Sequence, residues 1–139
     1  MALALEIVTP DGIVWHNNNV DSVVLPTTSG EIEILSGHVP LITILEAGAV
    51  GVKFEGKDEN IAIDNGYARI MGDVVSVLTE AAINVETLNI SDIEKAKEAA
   101  LKAVEQAKNN KISDEELERL QSVARFAIAQ LLAKGKKKS

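Results

Sequence analysis

Glu31-Ile32-Glu33-Ile34 alternates charge with aliphatic bulk, the period of a strand buried on one face. A Ser-Gly-His-Val-Pro break over residues 36–40 then leads into Leu41-Ile42-Thr43-Ile44-Leu45, a run that is apolar on both faces. Short runs of this kind recur through the first half of the chain and predict strands over 3–9, 20–25, 31–35, 41–45, 49–55, 60–64, 67–71 and 74–79. Turn signals separate them at Pro10-Asp11-Gly12, Thr28-Ser29-Gly30, Gly56-Lys57-Asp58, Asn65-Gly66 and Gly72-Asp73. Short antiparallel strands at this spacing must cover one another's apolar faces, so a β-sandwich or flattened barrel is expected. Within it, Val50, Val52 and Phe54 are expected to face inward, with Lys53 and Glu55 toward water.

Beyond Glu86 the period lengthens from two to about 3.6 residues, the signature of helix. Ser91-Asp92-Ile93-Glu94 and Ser113-Asp114-Glu115-Glu116 both read as capping boxes, and Ile112 with Leu117 reads as the hydrophobic staple of the second. Each cap is worth about 1 kcal/mol, enough to fix where a marginal helix begins. The first helix is expected to bury Ile93, Ala96, Ala100, Ala103, Val104 and Ala107 on one stripe. Leu117, Leu120, Ala124, Ile128 and Leu131 form the stripe expected of the second. A short Asn109-Asn110-Lys111 link makes the pair an antiparallel hairpin, and its Ala-rich seam buries little area, at roughly 25 cal/mol per Å². The predicted fold is therefore α+β: an antiparallel β-sandwich over 1–86 followed by a two-helix hairpin with a basic tail over 87–139.

Composition sharpens the division. All three prolines and eight of the nine glycines lie in the first part, while the second contains nine alanines. Residues 1–86 hold three Lys and Arg against 13 Asp and Glu, a net charge of −10; residues 87–139 hold 11 against eight, or +3, and the whole chain of 139 residues carries −7. With 46% hydrophobic but only 3% aromatic residues the core must be aliphatic, and platforms for stacking nucleic-acid bases are not expected. The absence of cysteine excludes disulfides, thiolate nucleophiles and Cys-containing zinc sites. The first residues lack the pattern of a signal peptide, and no apolar run reaches the roughly 18 residues of a membrane span, so no direct membrane insertion is expected.

Catalytic chemistry finds little support. There is no Gly-rich phosphate loop, no G-x-S-x-G elbow and no H-E-x-x-H motif, and the carboxylates of the first part are scattered rather than paired. His16, beside Trp15 and before Asn17-Asn18-Asn19, reads as a loop residue. His38 sits where Gly37 can take a positive φ and Pro40 holds Val39 extended, so its loop is stiff. Two readings of His38 stay open: an imidazole bonding its own loop's amides, or part of a contact surface.

The run Gly30-Glu31-x-x-Ile34-Leu35-x-Gly37-His38-x-Pro40-Leu41-Ile42-Thr43-x-Leu45-x-x-Gly48 closely resembles the signature of the epsilon subunits of F-type ATP synthases. Pro10-Asp11-Gly12, Gly66-Tyr67-Ala68 and Val75-x-Val77-Leu78-Thr79-Glu80 continue the resemblance in order, as does the Ala-rich helix pair. Three departures affect turns: Glu33 replaces the family's second Gly, Ser36 stands where Pro is common, and Asn65 takes the first place of a Gly-Gly pair.

The resemblance implies a non-catalytic rotor subunit in the central stalk of a proton-translocating F-type ATP synthase. Its implied partners are the gamma subunit and the c-ring, with the catalytic alpha and beta subunits met when the hairpin extends to inhibit ATP hydrolysis. The implied location is peripheral, at the cytoplasmic face of the plasma membrane. Glu31 and His38 match the family's contact loops, and an exposed apolar patch is expected on the sandwich as the seat for gamma. Each helix of about 20 residues is roughly 30 Å long, enough to span a subunit when the pair opens. The run Lys134-Gly135-Lys136-Lys137-Lys138 is suited to an acidic surface on the catalytic subunits. Some family members bind ATP through an aliphatic-Asp-x-x-Arg-Ala motif, to which Asp92-Ile93-Glu94-Lys95-Ala96 is the nearest match. Asp92 and Lys95 are thus the nucleotide-binding candidates, with weak or no ATP binding expected because Lys replaces Arg poorly at a bidentate site. No cofactor, metal or nucleic-acid partner is expected. The residues by themselves also admit a free-standing β-sandwich binding module with a helical dimerisation arm, and an enzyme using His38 with Glu31.

Overall fold

The structure, a computed structural model, describes residues 2–135. Among these the chain forms ten strands, a single 3₁₀ turn and two helices. The strands are β1 (Leu3–Thr9), β2 (Gly12–Val20), β3 (Ser22–Thr27), β4 (Gly30–Leu35), β5 (Leu41–Leu45), β6 (Gly48–Phe54), β7 (Lys57–Ile63), β8 (Gly66–Met71), β9 (Val74–Thr79) and β10 (Ala82–Asn84). The 3₁₀ turn Val85–Thr87 precedes α1 (Ile90–Asn109) and α2 (Asp114–Gly135).

Hydrogen bonding links the strands in the order β10-β7-β6-β3-β5-β8-β9-β1-β2, with β4 on β3. The joint between β3 and β5 is the single pair Thr27–Leu45, and there the ribbon folds over to make a nearly closed sandwich. One layer is β10-β7-β6-β3-β4 and the other β5-β8-β9-β1-β2. Both contribute to one aliphatic core, which includes Leu3, Leu5, Ile7, Val23, Leu25, Ile34, Val50, Val52, Ile61, Ile63, Ile70 and Val77. Val50, Val52 and Phe54 point into it while Lys53 and Glu55 face water, as the alternation predicts. Trp15 meets Phe54 edge-on at 5.4 Å between ring centroids.

Several local expectations are corrected. Residues 12–20, His16 among them, form a strand and not a loop: β2 pairs with β1, and His16 lies opposite Glu6. Two register shifts, each giving β2 an extra residue, break the alternation that marks a strand in sequence. The last strand, β10, is only three residues long and was likewise not expected. β1 and β9 run parallel, so the sheet is not wholly antiparallel. The turn between β6 and β7 is Glu55-Gly56, one position before the Gly56-Lys57-Asp58 signal; both residues take a positive φ, as a two-residue hairpin turn of type I′ requires.

Helix α1 is capped by Asn89, whose Oδ1 accepts from the Ser91 amide at 2.8 Å, so Ser91 is inside the first turn and not its cap. Asn caps as well as Ser, and the earlier start adds Ile90 to the helix. Ser113 does cap α2, its Oγ accepting from the Glu116 amide at 3.3 Å. The reciprocal half of that box is missing, because Glu116 turns to Arg119 at 3.0 Å. In α1, Ile93, Ala100 and Ala107 are buried, but Ala96 is exposed. In α2 the buried residues are Ala124, Ala127, Ala129 and Ala133, whereas Ile128 is exposed. The reason is that α2 is sandwiched: α1 packs on it from outside while it lies across β6 and β7, so its contacts spread beyond one stripe. Ala133 and Phe126 pack with Ala49, Ala62 and Val85 in a small second core beneath it.

Candidate partner interface

Residues of β5 that are apolar on both faces produce an uncovered outer wall. Leu45 turns into the core, and Ile42 and Ile44 turn outward, 71% and 64% exposed. On β8, Tyr67 lies opposite Ile44 and Arg69 opposite Ile42, both exposed. At the end of the β8–β9 hairpin, the exposed Met71 and Val74 face each other. This wall is the outer face of the layer that lacks helices, since α2 covers β6 and β7 of the other. The exposed apolar patch expected from the sequence is therefore present.

Glu31 is exposed near the start of β4, opposite Pro26 of β3. His38 follows the far end of the same strand in a tight turn. Its amide donates to the Leu35 carbonyl at 3.2 Å, and Gly37 between them has φ +84°. The ring nitrogen Nδ1 of His38 lies 2.7 Å from the Val39 carbonyl, so the imidazole donates within its own loop, to a carbonyl and not to an amide. Four residues of strand, roughly 13 Å at 3.3 Å each, separate Glu31 from Leu35. The structure thus places the two candidate contact residues at opposite ends of β4, which leaves no shared site for acid–base chemistry between them.

The side chains that organise the remaining surface join segments far apart in the chain. Asp73 Oδ1 accepts from Ser36 Oγ and from the Gly37 amide, both at 3.0 Å. Asn65 Oδ1 accepts from the Ala47 amide at 3.0 Å and so ties the β5–β6 loop to the β7–β8 loop. Arg125 of α2 grips Asp64 with two bonds, Nε to Oδ1 at 2.6 Å and Nη2 to Oδ2 at 3.2 Å. Lys134, the first residue of the basic run, donates to the Glu86 carbonyl at 3.3 Å; residues 136–138 of that run lie outside the described residues.

Asp92 and Lys95 are exposed on the first turns of α1. Neither lines the cleft of about 640 Å³ between α2 and the ends of β7 and β9, which contains Asp64, Glu80, Glu115, Glu118, Arg119 and Arg125. Both arginines of that cleft already hold carboxylates, Arg119 on Glu116 and Arg125 on Asp64. Among the described residues no group of three or more His, Asp or Glu could hold a metal ion, and no helix is long and apolar enough to cross a membrane. The aliphatic side chains fill the space between the two layers, so the sandwich carries its uncovered apolar area on a face.

Residues 2–85 match the family described as "ATP synthase, Delta/Epsilon chain, beta-sandwich domain". Over 108 residues the chain is 41% identical to the ATP synthase epsilon chain of Staphylococcus aureus strain JH9, covering 78% of each. It is similar in fold to a chain of the Euglena gracilis mitochondrial ATP synthase assembly of OSCP, F1 and c-ring, with a TM-score of 0.69 at 22% identity over 92% of this chain and 78% of that one. A chain from the central stalk and c-ring of the Tetrahymena thermophila mitochondrial ATP synthase gives a TM-score of 0.53 at 9% identity, covering 63% and 69%. From the sandwich, the relative and the Gly30–Gly48 signature on β4 and β5, it follows that the chain belongs to the epsilon-subunit family of bacterial-type F-type ATP synthases.

Proposed function

We propose that the chain is a non-catalytic rotor subunit of the central stalk of a proton-translocating F-type ATP synthase, coupling c-ring rotation to ATP synthesis through the gamma subunit. The observation that carries this reading is the wall of Ile42, Ile44, Tyr67, Met71 and Val74 on the layer facing away from the helices. A hydrophobic face of this kind on an otherwise charged chain is the sort of surface a permanent partner covers. Glu31 and His38, at the two ends of β4, supply polar contacts to the gamma subunit and c-ring.

In this reading residues 1–86 bind the stalk and residues 87–139 regulate. The hairpin rests on β6 and β7 through small alanine contacts and a few polar ties, so it can leave the sandwich, extend toward the alpha and beta subunits and inhibit ATP hydrolysis. ATP binding at Asp92 and Lys95 is weak or absent, since Lys95 stands where the motif has Arg and a lysine replaces a bidentate guanidinium poorly. The subunit sits peripherally at the cytoplasmic face of the plasma membrane.

Capture by purified gamma subunit and c-ring tests partner and role together. The full chain and a chain ending at residue 86 are both expected to bind gamma, with the shorter one altering ATP hydrolysis but not coupling. If the shorter chain is folded yet cannot bind gamma, this division of labour is wrong.

A further inference from the structure

The turn that presents His38 is built without the residue that usually stiffens such a turn. Leu35 to His38 form a four-residue turn closed by the bond from the His38 amide to the Leu35 carbonyl, with Gly37 at φ +84° in its third position. A positive φ there, with Ser36 at the second position outside the positive-φ region, makes the turn type II, whose second position favours proline, with a ring that fixes φ near −60°. That position holds Ser36, which has no such constraint.

A carboxylate from elsewhere in the fold takes over. Asp73 Oδ1 accepts from Ser36 Oγ at 3.0 Å and from the Gly37 amide at 3.0 Å, gripping both central residues of the turn at once. Asp73 is itself held. It lies in the two-residue β8–β9 turn, where Gly72 has φ +59° and Met71 pairs with Val74, and its carbonyl accepts from the Ala4 amide at 2.8 Å. The same grip holds the turn, which is flanked by the exposed Leu35 and Val39, to the hairpin end that carries the exposed Met71 and Val74 of the apolar wall.

We propose that Asp73 is a positioning residue for the docking turn, the lock that orients His38 and Val39 beside the Met71–Val74 end of the wall toward the gamma subunit, in place of a proline at position 36. The proposal rests on the reading of that turn as a contact surface.

The test uses the full chain with purified gamma subunit and c-ring, and four proteins: wild type, Asp73→Ala, Ser36→Pro, and the double variant. Leu35 lies in β4 and is extended, the conformation that precedes a proline without strain, so Ser36→Pro is compatible with the fold. Loss of Asp73 is expected to speed exchange of the Gly37 amide about fivefold and to weaken partner binding by about three- to tenfold, the scale of one or two hydrogen bonds. The double variant is expected to recover wild-type binding, because the ring restores the turn without the carboxylate. Unchanged binding by Asp73→Ala overturns the proposal even where Gly37 exchange quickens. So does a double variant as weak as Asp73→Ala, which means that Asp73 touches the partner itself. A wild-type chain that binds neither partner is recognised separately: it removes the stalk reading, and this proposal with it.

Discussion

Replacing Arg125 by Ala should loosen the hairpin from the sandwich. The Asp64 carboxylate is 4% exposed and the Arg125 side chain 38%, so one end of the pair is dry and the other half wet. Breaking a buried pair costs about 3–5 kcal/mol and an exposed one about 0.2–1, which puts this pair at about 2 kcal/mol. Loss of Arg125 also leaves Asp64 Oδ1 with the Asn65 amide at 2.8 Å, while Oδ2 gives up its bond to Nη2. The rest of the docking rests on alanine methyls and the half-buried Phe126; each methyl is worth about 0.8 kcal/mol when fully buried, so the ion pair equals two or three of them. Native-state amide exchange along α2 reads the opening directly, since a helix released from its packing is marginal in water. About 2 kcal/mol corresponds to roughly thirtyfold faster exchange at Ala127, Ala129 and Ala133. On the proposed function, the assembled enzyme carrying Arg125→Ala should also hydrolyse ATP more slowly. If Arg125→Ala and Asp64→Ala each change α2 exchange less than twofold, the pair does not hold the hairpin and the reasoning fails.

Three further outcomes are expected. The double change Ile42→Asp and Ile44→Asp should abolish capture by gamma while shifting the unfolding midpoint by only a few degrees, because both side chains are exposed; retained capture would move the gamma seat elsewhere. Gly66→Ala should destabilise the chain by about 3 kcal/mol or more, as a Cβ there overlaps the Leu78 carbonyl oxygen and lies 2.8 Å from Thr79 Cα; urea titration followed by circular dichroism measures it. Lys111 sits at φ 51°, a conformation that costs an ordinary residue about 1 kcal/mol, so Lys111→Gly should stabilise the hairpin by about 0.5–1 kcal/mol and slow exchange at its closed end.

Legibility in the sequence followed locality. The strands at 41–45 and 74–79 lie where the pattern puts them because each keeps its register with its neighbours, and 3–9 does so because both bulges of its pairing with β2 fall on β2. β2 was hidden by two bulges and a run of three asparagines, and β10 by its length of three residues. The helices were legible but their stripes were not: a period of 3.6 marks a helix with one buried side, and α2 is covered on more than one. The same limit applies to the interface. Ile42 and Ile44 could be found because a short strand that is apolar on both faces must leave one face outward or covered. Asp73 and Arg125 could not, for they reach partners 37 and 61 residues away, and no spacing along the chain encodes such a meeting.

The parallel pairing of β1 with β9 has a consequence for biogenesis. β1 leaves the ribosome ahead of the nine other strands of the described residues, and β2 follows at once to cover one of its edges. The other edge waits for β9, since Glu6 and the Ser76 that bonds to it are separated by 70 residues. At a synthesis rate of about 5–20 residues per second, that edge stays bare for roughly 4–14 s in every new copy. A naked strand edge is a template for the wrong neighbour, so this is the interval in which the nascent polypeptide most needs a chaperone's shelter.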